Sequence, residues 1–302
     1  MAGEPLRAFM NETHHAVRRR AHAVGAVLIV AAVTYVTVFA IAKTSVASRE
    51  ETFVSAGASA GPPLDVYLDV TAIEPVRQSM DLRLDVATES TAHGRQYFGR
   101  LDRDVELQVS DGESERDFQL HRGEPLASAV FAAGLEGAVV AYPFDRYGTN
   151  IVVSATESSG GKAGTAIPLR VRVWTGVPGW RVDVTNVASS DANQELKLAV
   201  RSYRPTPLIF FTCVIYGLMV LIAACAIVIG SLTFIGMRRI EVTLTGALTG
   251  MVFALPILRN AVPGAPPLGV NLDVFILLWA EIAALGGLTL FVAAWVQGGS
   301  RP

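Results

Sequence analysis

The residues best placed to do chemistry in this chain are the few charged ones inside or beside apolar sequence: Arg259, Asp273 and Glu281. Glu281 stands about 13 Å inside an otherwise apolar run, at about 1.5 Å of helical rise per residue. A carboxylate at that depth costs about 2.5–3.5 kcal/mol on insertion scales unless protein or water faces it. Four roles are open to it: a proton or cation site, a contact with a partner subunit, a structural pair with Arg259, or a protonated group bonded to a neighbouring helix. Arg259, Asp273 and Glu281 together form a candidate intramembrane polar site, with Asp273 and Trp279 expected at the outer interface.

Other constellations are weaker. Gly57-Ala58-Ser59-Ala60-Gly61 has the spacing of a nucleophile elbow. An elbow needs a strand before it and a helix after it, and this one lies in a small-residue stretch ending in Pro62-Pro63. His14 and His15 are adjacent, so on a helix they diverge by about 100°, and no further ligand lies near. Asp65, Asp69, Asp81 and Asp85 fall on the polar faces of alternating sequence, where solvation or pairing with Arg83 is expected. Cys213 and Cys225 are separated by about 18 Å of helical rise and cannot pair within the chain. No metal set, cofactor motif or nucleophile constellation emerges, which points to a protein that is not an enzyme and needs no cofactor.

Two further features concern position more than reactivity. Tyr142-Pro143-Phe144-Asp145-Arg146-Tyr147 frames an acid–base pair with aromatic rings. Pro143 fixes a turn, and rings of this kind suit a membrane head-group zone or the underside of a domain. The segment reads as a coupling loop between domain and membrane, near the Pro/Gly-rich stretch 259–271. Asp145 and Arg146 are expected to pair locally or with Arg259 or Asp273. Gly246 and Gly250 form a small-xxx-small pattern that lets two helix backbones approach, either inside a bundle or between chains.

The elements that carry these residues follow from hydropathy. The chain has 302 residues, 51% hydrophobic and 17% charged, against about 25% charged in ordinary soluble domains. Residues 1–20 are polar and end in Arg18-Arg19-Arg20. An uncharged run follows, giving a first membrane helix over 21–43, since about 20 apolar residues cross a bilayer core. A signal peptide would carry a shorter apolar region, so the segment reads as an uncleaved anchor. Residues 44–63 are rich in Gly, Ala, Ser and Pro and read as a tether. Further apolar runs give helices over 205–236, 241–258 and 272–296, with an outer loop over 259–271 and a short tail over 297–302. Arginine placement puts both termini in the cytoplasm and residues 44–206 outside it, in a multi-pass protein of the plasma membrane.

From Leu64 the period changes to two: Leu64, Val66, Leu68 and Val70 alternate with polar residues, and the pattern recurs to Val200. Short alternating segments parted by turn signals imply an all-β, antiparallel, sandwich-like domain over 64–204. Residues 44–205 carry a net charge of −6 and the remainder +4. Neither part has the basic stripe of a nucleic-acid binder. The expected fold is thus four transmembrane helices, grouped one plus three, with one extracytoplasmic β domain.

Two resemblances add to this. The anchor, the β domain with its Tyr-Pro-Phe-Asp-Arg-Tyr loop and the bundle segments 253–269 and 275–281 resemble the actinobacterial membrane-protein family labelled domain of unknown function 4436. That resemblance implies the architecture and an actinobacterial source, and it implies no activity. Tyr142-Pro143-Phe144-Asp145 is similar to the Phe-Pro-Phe-Asp signature of the Cys-loop receptors, which also join a β-sandwich to four helices. The flanking cysteines are absent here and a helix precedes the domain, so that likeness is local and implies only a position where sandwich meets membrane. The function expected is a non-enzymatic, envelope-facing scaffold, sensor or accessory subunit. It would contact membrane lipid and a protein partner or further copies of itself. The alternative is a transport or channel component with a polar path through the helices.

Overall fold

The computed structural model describes residues 50–54, 63–87, 101, 103–123, 128–157, 165–187 and 195–299. The chain divides into two compact units, residues 1–46 and 47–302. The expected first span, 21–43, lies outside the described residues, as do His14, His15 and the Gly57–Gly61 motif.

Within the second unit the alternating segments form two β-sheets. The first sheet contains β1 (Glu50–Val54), β2 (Leu64–Glu74), β3 (Ser79–Ala87), β6 (Ala129–Gly134) and β9 (Leu169–Trp174), in the order β1-β9-β2-β3-β6. The second contains β4 (Val105–Ser110), β5 (Glu115–Leu120), β8 (Arg146–Glu157), β10 (Arg181–Val187) and β11 (Leu196–Tyr203), in the order β10-β11-β8-β4-β5. The two-residue β7 (Glu136–Gly137) adds to β8. Strand faces follow the period of two: Val66, Leu68, Leu82 and Leu84 of the first sheet are buried in one hydrophobic cluster with Leu107, Val153, Leu198 and Val200 of the second.

Three expectations need correction. The first sheet is mixed, because β2 pairs parallel with β9. Alternation fixes which face of a strand is buried and says nothing of its neighbour's direction. The segment 44–63 is not all tether, because Glu50–Val54 pairs with β9 and Phe53 packs on the core. Asp65 is not solvated: it is buried and meets Arg170 at 3.4 Å. Asp85, by contrast, pairs with Arg83 at 3.1 Å.

Three helices follow, long and apolar enough to cross a membrane: Thr206–Phe234, Val242–Asn260 and Asp273–Gly298. We call them α1 (Thr206–Phe234), α2 (Val242–Asn260) and α3 (Leu278–Gly299), the last preceded by a π-helical turn over Asp273–Leu277. The closest helix crossing is α1 on α3. A Cβ on Gly287 would lie 2.3 Å from the Ala226 carbonyl oxygen, and one on Gly230 would lie 2.1 Å from that of Gly287. Only glycine permits backbones so near. Gly246 and Gly250, the expected packing pair, meet nothing within 4 Å. Leu248 and Leu255 form the buried stripe of α2, and both glycines lie about 160° around the helix from it.

Candidate functional site

The structure concentrates its buried charge where the β-sheets meet the helices. The chain leaves β7 through a 3-10 turn at Val139–Ala141, which aims the next residues toward α1. From Tyr142 to Tyr147 the side chains sort by environment: Tyr142, Pro143, Asp145 and Tyr147 are buried, while Phe144 and Arg146 are exposed. Tyr142 belongs to the hydrophobic cluster of the helices, not to that of the sheets. Its hydroxyl donates to the carbonyl of Pro263 in the loop after α2 and lies 2.9 Å from Thr212 Oγ1 on α1. One side chain of the β domain thus ties together a helix and an inter-helix loop.

Asp145 pairs with Arg204, at the end of β11. Arg204 Nε lies 3.3 Å from both carboxylate oxygens, and both side chains are buried. The guanidinium also stacks 3.7 Å from the Trp180 ring centroid and 5.4 Å from that of Tyr142. Aromatic faces attract a cation through their quadrupole, most strongly when water is excluded. The fit extends to Gly264, at φ +77°: a Cβ there would come within 3.1 Å of Arg204 Nη1. The expectation that Asp145 pairs with Arg146, Arg259 or Asp273 is therefore corrected, because the strand period turns Arg146 to the opposite face.

A second buried pair lies among the helix ends. Arg259 Nη2 is 2.8 Å from Asp273 Oδ2, and Nε reaches both oxygens. Nη2 also donates to the carbonyls of Pro266 and Pro267 at 3.0 and 2.8 Å. Asp273 accepts further bonds from the Tyr216 hydroxyl at 2.7 Å and the Gly269 amide at 3.1 Å. The Pro/Gly loop is thereby folded around a guanidinium, with both carboxylate oxygens used.

Glu281 does not join this network. It is half-buried on α3 and has no hydrogen bond or ion pair among the described residues. The structure brings together two of the three expected polar residues and leaves the third apart. It also separates Arg259 from Glu281 as a pair, because Asp273 already occupies the cation. Arg204, Trp180, Thr212 and Tyr216 were not singled out from sequence. Arg204 carries one signal in the sequence, a cation immediately before Pro205 and an uncharged run.

Burial raises the Tyr142 pKa above its ordinary value, opposed by the Thr212 bond and the Arg204 charge. Burial also raises that of Tyr147, and here the Asp145 charge adds to the effect. The Tyr147 hydroxyl has no partner within hydrogen-bond geometry among the described residues, Asp145 being the acid that acts on it; its ring stands edge-on to Trp180, with centroids 5.6 Å apart. Among the described residues no group of three His, Cys, Asp or Glu comes together to hold a metal. The joint is thus built of charges that satisfy each other.

Comparison with families of known sequence divides the chain at this joint. Residues 204–298 match the family described as domain of unknown function (DUF8686), so the bundle segments fall under a model of their own. No curated protein matches the chain. Residues 54–201, which hold the β domain, match the family described as domain of unknown function (DUF4436).

Proposed function

We propose that this protein is a non-enzymatic membrane scaffold, sensor or accessory subunit whose β domain is held at a fixed angle on its helices. The observation that carries this is the joint itself. Tyr142 bonds two elements of the bundle at once, and the buried Asp145–Arg204 pair sits under it, caged by Trp180. A domain that only needed to stay near a membrane could hang on a linker, because flexible linkers cost little. Burying an ion pair is costly and is repaid only when its own geometry is good, which fits a junction held at a set angle.

In this reading the two sheets form a sandwich, the three helices and the run 21–43 make four spans of the plasma membrane, and both termini face the cytoplasm. The β domain then faces the envelope, where it contacts a protein partner or further copies of the chain. Cysteines at Ser114 and Ser300 test the topology. An impermeant maleimide should label the first in intact cells and spare the second, and labelling of Ser300 alone would reverse the orientation. Copurification from mild detergent tests the role. A stable hetero-partner supports an accessory subunit, and its absence together with a monomeric state counts against one.

One observation favours a second reading, a transport or channel component. Glu281 is a half-buried carboxylate in a span, without a partner among the described residues. On that reading Glu281→Gln abolishes ion or proton flux in vesicles while leaving expression unchanged. Wild-type protein that carries no flux would remove this alternative.

A further inference from the structure

The outer face of the second sheet carries an arginine-lined cleft at its helix-proximal end. There β10, β11 and β8 lie side by side, and their register sets two rows. Arg181, Tyr203 and Arg146 form the first; Asp183, Arg201 and Gly148 form the second. Tyr203 of the first row is followed at once by Arg204, two residues before α1 begins at Thr206. Gly148 presents no side chain, and the space it leaves is part of an open cleft of about 630 Å³.

The charges in this cleft are unequally matched. Asp183 accepts the Tyr203 hydroxyl at 2.7 Å and faces Arg181 Nε at 3.6 Å, so it is already engaged. Asp145, beside Arg146 in sequence, is held by Arg204. Glu136, opposite Gly148 on β7, lies in the same row as Arg201 and lines an adjoining groove with Arg77, Asp111 and Glu113, a groove that shares Gly148 and Arg201 with the cleft. Among the described residues no ion pair within 4 Å joins Glu136 to Arg146 or Arg201. Arg146 and Arg201 are exposed, with no ion pair or hydrogen bond among the described residues. They flank the gap at Gly148 in a domain whose net charge is −6.

Depth supplies the identity of the ligand. With 29 residues, α1 is about 43 Å long, about 13 Å more than a hydrocarbon core. Its first turns therefore stand among head groups if the helix spans. Phe144, 59% exposed and two residues before Arg146, offers an apolar side chain at that level. A planar guanidinium matches phosphate oxygens with paired donors. We propose that the cleft between Arg146 and Arg201 binds the phosphate of an anionic phospholipid in the leaflet next to the β domain. The inference rests on the reading that α1 crosses the membrane.

Full-length protein in nonionic detergent, titrated with dioleoyl phosphatidylglycerol or dioleoyl phosphatidylcholine and read by native mass spectrometry, tests this. Wild type should prefer the anionic lipid by about tenfold or more, the scale of one or two charge-assisted bonds. The double variant Arg146→Gln/Arg201→Gln should lose that preference, and Arg77→Gln should keep it. Gly148→Met fills the cleft without removing charge. The nearest atom to a Cβ there is the Val200 carbonyl oxygen, at an ordinary 3.8 Å, so the variant should fold and also lose the preference. Equal binding of the two lipids by wild type would overturn the site, as would a preference that survives in the arginine variant. Displacement of the lipid by equimolar glycerol 3-phosphate would assign the cleft to a free phosphate ester instead. Alkaline carbonate extraction separates the two levels of failure. Protein that is extracted refutes the membrane reading, whereas retained protein without lipid preference refutes only the site.

Discussion

The two buried arginine–aspartate pairs do similar electrostatic work by different means. Arg259 is wrapped in oxygen: two proline carbonyls and the Asp273 carboxylate, which also accepts from Tyr216 and Gly269. Arg204 has the Asp145 carboxylate on one side and aromatic rings on the others. A hydrogen-bonded cage fixes direction at every atom, and fits a loop that must fold back between two helices. An aromatic cage holds a charge while presenting an apolar outer surface, and fits the boundary between a sheet and a bundle. The difference teaches that one pair organises the bundle and the other attaches the domain, so the two should fail differently.

Removing Asp273 should cost most. Asp273→Asn leaves the Arg259 charge buried and unbalanced, and breaking such a pair is worth about 3–5 kcal/mol. Chemical unfolding of the detergent-solubilised protein should show a loss of that size in the helical signal. Asp145→Asn should cost less, about 2 kcal/mol, because the Trp180 and Tyr142 rings still face the Arg204 cation. Equal losses in the two variants would erase the distinction between the cages. Tyr142→Phe removes only a hydroxyl, and should cost about 1 kcal/mol. Its signature is local: amide exchange should quicken in 261–264 and around Thr212 before it changes in the sheets. The smallest effect is one of pH. Burial raises the Tyr147 pKa in the folded state, so its contribution is complete below its unfolded value of about 10. That contribution is lost as pH rises from there through the folded value. Tyr147→Phe should flatten the alkaline decline, and an unchanged decline would place the titration elsewhere.

Much of this was legible in the sequence, and the gaps have physical causes. Period-two alternation located the strands carrying Val66, Leu107, Val153 and Leu198, and apolar length located the three described helices. Alternation could not reveal that β2 runs parallel to β9, since the pattern is the same in either direction. β1 was hidden because one core contact, Phe53, leaves almost no period. β6, Ala-Val-Phe-Ala-Ala-Gly, has too little polar contrast to stand out. The small-residue pattern at Gly246 and Gly250 does not mark a contact inside the bundle, because a motif states what a helix permits and not what faces it; its other reading, association between chains, is a matter for a second copy. The close crossing uses Gly230 and Gly287, one on each helix, which no single-segment pattern contains. The loop Tyr142–Tyr147 was visible by its composition. Its partner Arg204, 59 residues away, was not, because pairing across strands and helices leaves no local trace. Glu281 stood out for its cost in a span, and the structure gives it no intrachain role among the described residues.

The central claim is that the β domain and the helices move as one body. Spin labels at Val130, exposed on β6, and Leu268, exposed in the loop before α3, measure it by pulsed electron–electron resonance in lipid nanodiscs. The wild type should give a single narrow distance distribution, and Arg204→Gln with Tyr142→Phe should broaden it. A wild-type distribution already as broad as that of the variant would mean that the domain swings on a tether, and would contradict the account.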